Sequence, residues 1–381
     1  MNKYIKWLLL MAVLIMGLST GVYGAEKEDS HREIQGLTYD HSMELSYAEE
    51  FSVDYYEGGY ALITIDQSGE FLVVPEGRKA PVGLDGDITV LQQPVSNIYL
   101  VATSAMDLFR AIDGIDSIRL SGTKENGWYI QEAKDAMESG KMIYAGKYNA
   151  PDYELILNEG CGLAIESTMI YHNPEVKEKL EQFGIPVLVE RSSYESHPLG
   201  RTEWMKLYGV LLGREDQAEK VFEEQSSKLE KVLSAENTGK TVAFFYINST
   251  GAVNVRKSGD YVSEMIRLAG GKYVPEDTGS NDNALSTMNM QMEEFYAKAK
   301  DADYIIYNST IDGELTTIDE LLSKSELLAD FKAVKNGNVW CTGKNLFQET
   351  TGLGTMIEDI HTILTEDDAS LEELTYMHRL K

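Results

Sequence analysis

Short apolar runs alternate with helical segments from Pro94 onward, and this alternation is what most limits the folds open to the chain. In the first cycle an apolar run at 97–102 precedes a helical pattern at 105–112, and later cycles repeat that order. Parallel strands need crossover helices, so the alternation predicts a mostly parallel sheet covered by helices on both faces. The pattern starts again after a long charged helix at 215–235, which predicts a second α/β lobe. At about 1.5 Å per residue that helix spans about 30 Å, enough to join two lobes without a flexible linker.

The remaining segments divide the 381 residues further. Lys3 and Lys6 precede an apolar run at 7–18, and small residues precede Ala25, which together are the parts of an export signal. The apolar run is shorter than the roughly 20 residues of a membrane span, so we expect cleavage, with an uncleaved anchor as the alternative. The predicted segments are a signal peptide at 1–24, a flexible acidic leader at 25–50, an N-terminal β-hairpin extension at 51–93, a first lobe at 94–197, helices including the interlobe helix at 198–236, and a second lobe at 237–381.

The export signal predicts a periplasmic or extracellular, membrane-associated protein. The segment 18–21 has the form of a bacterial lipoprotein signal, except that Gly21 stands where the lipid-bearing cysteine would be. We therefore expect that the chain is not a lipoprotein through residue 21. How the protein is retained at the cell is left open by the sequence.

The net charge and the cysteine positions argue against a nucleic-acid partner and against a disulfide bond. The net charge of −28 argues against nucleic acid, because a phosphate backbone is bound through a surface rich in Lys and Arg. Cys161 and Cys341 are the two cysteines of the chain, and each lies in or beside an apolar strand-like run on opposite sides of the central helix. This placement favours two buried free thiols over a disulfide.

One motif occurs once in each predicted lobe. In the first lobe, Glu154-Leu-Ile-Leu precedes the run Cys161-Gly-Leu-Ala-Ile165; in the second, Glu293-Glu-Phe-Tyr precedes Asp301-Ala-Asp-Tyr-Ile-Ile306. With the two-lobe pattern, over about 94–364, this resembles the solute-binding proteins of the iron-siderophore, haem and cobalamin class, which are receptors of ABC importers. In that family a glutamate opens a short helix before a Pro-Asp-Leu-Ile strand, and Cys-Gly replaces Pro-Asp in the first lobe here.

The resemblance implies a fold class and a set of partners. The fold is α/β, with two Rossmann-like lobes joined by a long rigid interlobe α-helix, of the class III periplasmic-binding-protein type. The glutamates carried over from the family, Glu154 and Glu293, would pair with arginines of an ABC permease that works with its own ATPase subunit; Glu294 is the alternative to Glu293. The resemblance also implies a monomer without an intrinsic cofactor, and a ligand that is an iron chelate or a tetrapyrrole.

The ligand is expected between the lobes, in loops that follow the carboxyl ends of the parallel strands, such as 121–129 and 167–172. Several of these loops place aromatic residues next to cations, which suits a flat ligand with carboxylate or catecholate groups. The predicted cleft residues are Ser104, Met106, Trp128, Tyr129, Tyr171, His172, Arg191, Tyr194, Arg256, Tyr261 and Asn308.

Metal binding and catalysis receive less support from the sequence. His172 is the metal-ligand candidate, but a lone loop histidine is more often solvated, and the chain has no HExxH or CxxC motif. Any iron is therefore expected to arrive chelated, as a ferric siderophore first, then haem, then a corrinoid. We expect that the protein is not an enzyme. The alternatives to a binding protein are an exported chelatase-like enzyme on a similar two-lobe fold and a surface adhesion module.

Overall fold

Three sheets of five or more strands organise the part of the chain that the structure describes. The structure is a computed structural model, and it describes residues 31–233, 237–276, 278, 287–311, 313–366 and 370–381. The predicted signal peptide at 1–24 and the start of the predicted leader lie outside these ranges. Within them, no helix combines the length and the hydropathy that a bilayer span requires.

The N-terminal sheet has the strand order β1-β2-β3-β4-β5, and all neighbours are antiparallel except the parallel pair β4 and β5. Alternation in β2 and β3 sends Val53 and Ile63 to the buried face, where they join the main core. The strands are β1 (Tyr39–Ser42), β2 (Phe51–Tyr56), β3 (Tyr60–Ile65), β4 (Gly69–Val74) and β5 (Ile88–Gln92). The predicted β-hairpin extension is therefore a sheet of four antiparallel strands with a fifth strand that pairs in parallel. Residues 31–50, which were expected to belong to a flexible leader, instead include strand β1.

Two buried carboxylates explain why the leader is ordered. Glu203 accepts three backbone N–H bonds from residues 46–48 at 2.8 to 2.9 Å. Glu195 accepts two more from residues 49 and 50, at 2.8 and 3.1 Å, and a third bond from Trp204 Nε1 at 2.8 Å. N–H donors compensate buried carboxylate charge well. The polar composition that predicted flexibility at 46–50 is thus outweighed by two acids about 150 positions later in the chain.

The first lobe is a five-stranded parallel sheet of order β12-β11-β6-β7-β8, with helices packed on its two faces. Its strands are β6 (Ile98–Leu100), β7 (Ile118–Ser121), β8 (Ile143–Tyr144), β11 (Leu163–Ser167) and β12 (Val187–Glu190), with a separate two-residue ladder of β9 (Gly146–Lys147) and β10 (Ala150–Pro151). Its helices are α1 (Ala105–Ala111), α2 (Gln131–Glu138), α3 (Tyr153–Asn158) and α4 (Pro174–Gln182).

The second lobe is a seven-stranded mixed sheet of order β16-β14-β13-β17-β18-β19, with β15 also paired to β13. Its strands are β13 (Thr241–Ile247), β14 (Val253–Arg256), β15 (Lys272–Val274), β16 (Thr287–Met290), β17 (Tyr304–Tyr307), β18 (Val339–Thr342) and β19 (Met377–Arg379). Its helices are α7 (Tyr261–Leu268), α8 (Met292–Ala299), α9 (Ile318–Lys324), α10 (Lys332–Lys335) and α11 (Leu353–Thr365). The antiparallel strands β14, β16 and β19 are the part that the predicted βα alternation did not contain.

Two helices connect the lobes in sequence and pack along each other. Helix α5 (Pro198–Leu212) begins after His197, whose Nδ1 accepts the Leu199 N–H at 3.1 Å, and ends at Gly213 with φ +66°. Helix α6 (Glu215–Leu233) then runs back beside it; a Cβ on Gly209 would come within 2.9 Å of the Ala218 Cβ, so glycine permits this close approach. The role of α6 as a rigid interlobe connection, and the lobe boundaries, stay predictions.

One apolar cluster runs through the N-terminal sheet, the first lobe, α5 and one face of the second lobe. Phe51 packs edge-on against Trp204 of α5, with ring centroids 5.1 Å apart. Separate clusters fill the outer face of each lobe. The cysteines are both free, as predicted, although Cys161 is only partly buried whereas Cys341 is fully buried.

Candidate functional site

A cavity of about 470 Å³ lies at the carboxyl ends of the first-lobe strands. It is formed by residues that directly follow β6 and β7, by the end of β11, and by the loop after β8. The lining residues are Val101, Thr103, Gly122, Thr123, Lys124, Asn126, Gly127, Lys147, Tyr148 and Ser167. A Cβ on Gly122 would lie 2.9 Å from the Val101 Cα, so glycine is needed where the two loops cross. The predicted loop 121–129 therefore supplies half of the lining residues, but not the ones that the sequence singled out.

Two lysines give the cavity positive charge in a chain of net charge −28. Lys124 and Lys147 are both exposed, and neither forms an ion pair with a described residue. The Lys124 ammonium lies 5.4 Å from the ring centroid of Tyr144, close enough for a cation–π contact. The cavity thus offers cations and an aromatic ring to a ligand, which is the chemistry expected of the cleft. The sequence signal that could have identified this site is the pair Lys124 and Lys147, each in a loop that follows a strand.

A buried acid stands behind the cavity. Glu166 precedes the lining residue Ser167 and is fully buried, and neither of its side-chain oxygens has a hydrogen-bond partner. It pairs in register with Val189 of β12, and the preceding residue, Ile165, accepts the N–H of the lining residue Val101 at 2.9 Å. Desolvation raises the pKa of Glu166 to about 8. No sequence pattern marks Glu166 as buried, because a glutamate in a strand is usually interpreted as a solvent-facing residue.

Two of the predicted cleft residues in the first lobe lie in the core instead. Met106 is fully buried, and Trp128 is 1% exposed with its Nε1 donating to Ser121 Oγ at 3.3 Å. The loop turns the indole inward against the apolar cluster, while the next residue, Tyr129, is 41% exposed. Burying a large apolar side chain in the core has a more favourable free energy than leaving it exposed in a cleft. The assignment of Met106 and Trp128 to the cleft is therefore corrected.

Three other predicted cleft residues lie beside the N-terminal sheet. Arg191 is 4% exposed and donates through Nε to Glu50 at 2.7 Å, and its guanidinium stacks 4.4 Å from the ring centroid of Tyr194. Tyr171 donates to the backbone oxygen of Gln67 at 3.5 Å. None of the three lines the cavity. Arg191 instead bonds to Glu50, at the end of the segment 46–50 that we call the strap, and Tyr171 bonds to Gln67 in the turn between β3 and β4.

His172, the metal candidate, is the last residue of a short 3-10 helix (Thr168–His172) and is exposed. Among the described residues, no group of three or more His, Cys, Asp or Glu side chains is placed to hold a metal ion. Coordination by His172 therefore stays a prediction without a further ligand set.

In the second lobe, two of the three predicted cleft residues, Arg256 and Tyr261, lie together. Arg256 pairs with Asp260 at 3.3 Å, and its guanidinium lies 5.8 Å from the ring centroid of Tyr261, which is 4% exposed. Asn308 instead shapes the turn after β17, since its Oδ1 accepts bonds from Thr310 N and Oγ1 at 3.1 and 2.7 Å. The structure thus brings Arg256 and Tyr261 together and leaves Asn308 a turn residue.

The lobes meet along a seam formed by loop 348–351. Gln348 donates to the Gly127 oxygen at 2.7 Å and accepts the Tyr129 N–H at 2.8 Å. Thr351 donates its N–H and hydroxyl to buried Asp107, at 2.7 and 2.6 Å. These bonds link the second lobe to the first right beside the cavity.

Ser104 lies in the same seam. Its hydroxyl donates to Glu190 at 3.2 Å, and its backbone oxygen accepts the Thr350 hydroxyl at 2.8 Å. The predicted cleft position of Ser104 is therefore occupied by contacts within and between the lobes.

The chain belongs to the periplasmic binding protein family, whose model matches residues 102–346, well over half of its length. Members of this family are solute-binding proteins, which fits the expected binding role rather than catalysis. The match begins after the N-terminal sheet.

Solved structures of the same fold cover most of the chain. The periplasmic haem-binding protein HutB of Vibrio cholerae aligns with a TM-score of 0.58 and 17% identity, over 71% of this chain and 98% of that one. An Fe3+-hydroxamate transport protein of Saccharomonospora viridis aligns with a TM-score of 0.55 and 18% identity, over 71% and 93%. The predicted fold class, a two-lobed α/β protein of the class III type, is confirmed by this likeness.

Two curated relatives correct the predicted localisation. Both are named as uncharacterised lipoproteins of Methanocaldococcus jannaschii. One is 28% identical over 355 residues, covering 84% of this chain and 81% of the relative. The other is 24% identical over 398 residues, covering 98% and 99%. The expectation that the chain is not a lipoprotein, drawn from Gly21 alone, conflicts with these names and is wrong; export itself agrees with the fold.

Proposed function

We propose that this protein captures an iron complex outside the membrane and delivers it to an ABC permease with its ATPase subunit. A ferric siderophore is the first candidate, with haem and a corrinoid next. The observation that carries the proposal is the cavity at the first-lobe strand ends, where Lys124 and Lys147 stand without acid partners among the described residues. The expected monomeric state and the absence of an intrinsic cofactor belong to the same proposal.

The chemistry of the cavity favours an anionic cargo. Its volume of about 470 Å³ lies within the range of about 300 to 1,000 Å³ that small-molecule sites occupy. Carboxylate or catecholate oxygens would accept bonds from the two lysines, and Tyr148 adds a hydroxyl and a ring. Family members of this fold include proteins named for haem and for Fe3+-hydroxamate, which support an iron complex as the cargo.

Replacing Lys124 and Lys147 together by Gln is expected to weaken binding of the cargo by about tenfold or more, since two charge-assisted contacts are lost. The measurement is a visible absorption titration with a ferric siderophore, haem and a corrinoid. Lys141→Gln, an exposed lysine away from the cavity, is the matched control and should bind as the parent protein does. Unchanged affinity in the double variant would rule out this cavity as the cargo site.

The permease contact is proposed to lie at Glu154 and Glu293. Each is the second residue of its helix, α3 or α8, and each is exposed without an ion pair to a described residue. Glu294, the alternative, already pairs with Lys298 at 2.9 Å. Equivalent placement in both lobes and a free carboxylate support Glu293 over Glu294. Two carboxylates at fixed separation would match two arginines and so orient the protein on the permease.

Reversing both charges, with Glu154→Arg and Glu293→Arg, should abolish uptake of the cargo by cells while leaving cargo binding in solution intact. Uptake of radioactive iron complex and an absorption titration measure the two properties separately. Glu294→Arg serves as the control and should support uptake close to the parent level. Normal uptake by the double variant would exclude these glutamates as the docking pair.

A further inference from the structure

An arginine without a partner lies at the boundary between the lobes. Arg201, in the first turns of α5, is 5% exposed, and its Nε is buried with no hydrogen-bond partner. Among the residues that the structure describes, no acid forms an ion pair with it. A guanidinium stays protonated at any physiological pH, so the charge cannot be removed by loss of a proton.

The surroundings of Arg201 belong to both lobes. Its guanidinium lies 4.1 Å from the ring centroid of Tyr261, the first residue of α7 in the second lobe. The next residue, Thr202, donates its hydroxyl to the Thr350 oxygen at 3.1 Å, in the seam loop. Arg201 therefore stands where the helix after the first lobe meets the second lobe. The aromatic face attracts the cation, but it does not replace an in-plane acceptor for the N–H groups.

A second arginine on the same ring shows the difference. Arg256 also faces Tyr261, at 5.8 Å, but it pairs with Asp260 at 3.3 Å. Asp260 in turn accepts the Val262 N–H at 2.8 Å, so its oxygens are already in use. Arg256 therefore has a carboxylate partner, whereas Arg201, on the same ring, has no ion pair with a described residue. Buried charges in folded proteins are normally paired, so this one calls for an anion that the chain does not supply.

We propose that Arg201 and Tyr261 form a seat for a carboxylate group at the lobe seam. A carboxylate carries the single negative charge that the site lacks, whereas phosphate at neutral pH carries more. Its two oxygens match the in-plane N–H groups of the guanidinium, while the face of the Tyr261 ring contacts the guanidinium. Because Arg201 is 5% exposed, the carboxylate enters when the seam around loop 348–351 parts. The carboxylate is that of the cargo, in which case the inference rests on the proposed function, or a free carboxylate ion.

The test compares carboxylate binding by the parent protein and by Arg201→Met. In the first arm, sodium acetate is expected to raise the Tm of the parent protein above its value in sodium chloride of equal ionic strength, and this increment should be lost in the variant. In the second arm, haem should bind about tenfold or more tightly than its dimethyl ester, and the variant should remove that ratio. Lys179→Met, which removes a cation 4.1 Å from the Tyr153 ring on the exposed surface, is the matched control and should keep both responses.

The two arms separate the possible sources and the possible failures. An acetate response without a haem preference assigns the seat to a free carboxylate ion, and a haem preference that needs Arg201 assigns it to the cargo. Failure of haem to bind at all would count against haem as cargo, while the acetate arm would still decide the seat. The proposal is overturned if Arg201→Met responds to acetate as the parent protein does, or if the parent protein itself shows no response in either arm.

The stability of the ligand-free protein provides an independent readout. Arg201→Met removes an uncompensated charge, so its Tm should equal or exceed that of the parent protein. Arg256→Met leaves Asp260 without its cation and should lower the Tm. A drop for Arg201→Met as large as that for Arg256→Met would show that Arg201 is a structural arginine, contrary to the proposal.

Discussion

Single buried charges near the site are compensated in different ways. Glu203 is fully buried and receives backbone N–H bonds, whereas Glu166 is fully buried and receives none. An ionised carboxylate without donors is costly in apolar surroundings, which is why desolvation raises the pKa of Glu166 to about 8. At neutral pH Glu166 is therefore mainly the uncharged acid, next to a cavity whose charge comes from lysines.

The stability of the protein should depend on pH through Glu166. The unfolded chain releases this proton near pH 4.5, but the folded protein keeps it up to about pH 8. Stability is therefore expected to fall as the pH rises from 4.5 to 8. Glu166→Gln should remove this slope and add on the order of 3 kcal/mol at pH 7. Urea unfolding at pH 5 and pH 8 measures the effect; Glu178→Gln, an exposed acid of the same lobe, should leave the slope in place.

At the scale of elements, the segment 195–204 is the attachment point of the N-terminal sheet. Glu195 and Glu203 together accept the backbone N–H groups of five consecutive residues, 46–50. Glu50 continues the contact by pairing with Arg191 at 2.7 Å. The strap thus fixes an added sheet to the helix between the lobes and to the loop after β12, so the sheet borders the crevice without forming the cavity.

Removing one carboxylate should release the strap. Glu203→Ala leaves three backbone N–H groups without their acceptor and removes one of the two acids that pair with Lys206, which is expected to cost about 3 to 5 kcal/mol. Hydrogen exchange at residues 46–48 should rise together with the loss in urea stability. Glu219→Ala removes the other, half-exposed partner of Lys206 and should cost less than about 1 kcal/mol. Equal losses in the two variants would argue against the strap as the main anchor.

At the scale of the whole molecule, the seam at loop 348–351 joins the two lobes. Gln348 alone makes two bonds across it, and Asp107 accepts two more from Thr351. These contacts hold the lobes together next to the cavity and next to Arg201.

Weakening the seam should open the crevice. Gln348→Ala removes two interlobe hydrogen bonds, worth about 1 to 3 kcal/mol, and is expected to broaden and lengthen the distance between spin labels on the two lobes. Pulsed electron paramagnetic resonance measures this distance. Gln217→Ala, which breaks one exposed side-chain bond to Asp113 away from the seam, is the control. An unchanged distance distribution in Gln348→Ala would mean that other contacts hold the lobes.

The sequence by itself determined the repeated βα order, the free cysteines, the positions of helices such as Pro198–Leu212, and the loops in which the cavity lies. These depend on local apolar period and on turn residues, which act over a few positions along the chain. The tertiary structure alone decided which side chains of those loops face the cavity. Trp128 turned inward and Lys124 outward because burial is settled by distant neighbours. It also decided that residues 46–50 are held in place by acids about 150 positions away, and that the Nε of Arg201 has no hydrogen-bond partner. Both depend on hydrogen bonds and ion pairs between segments that are far apart in the sequence.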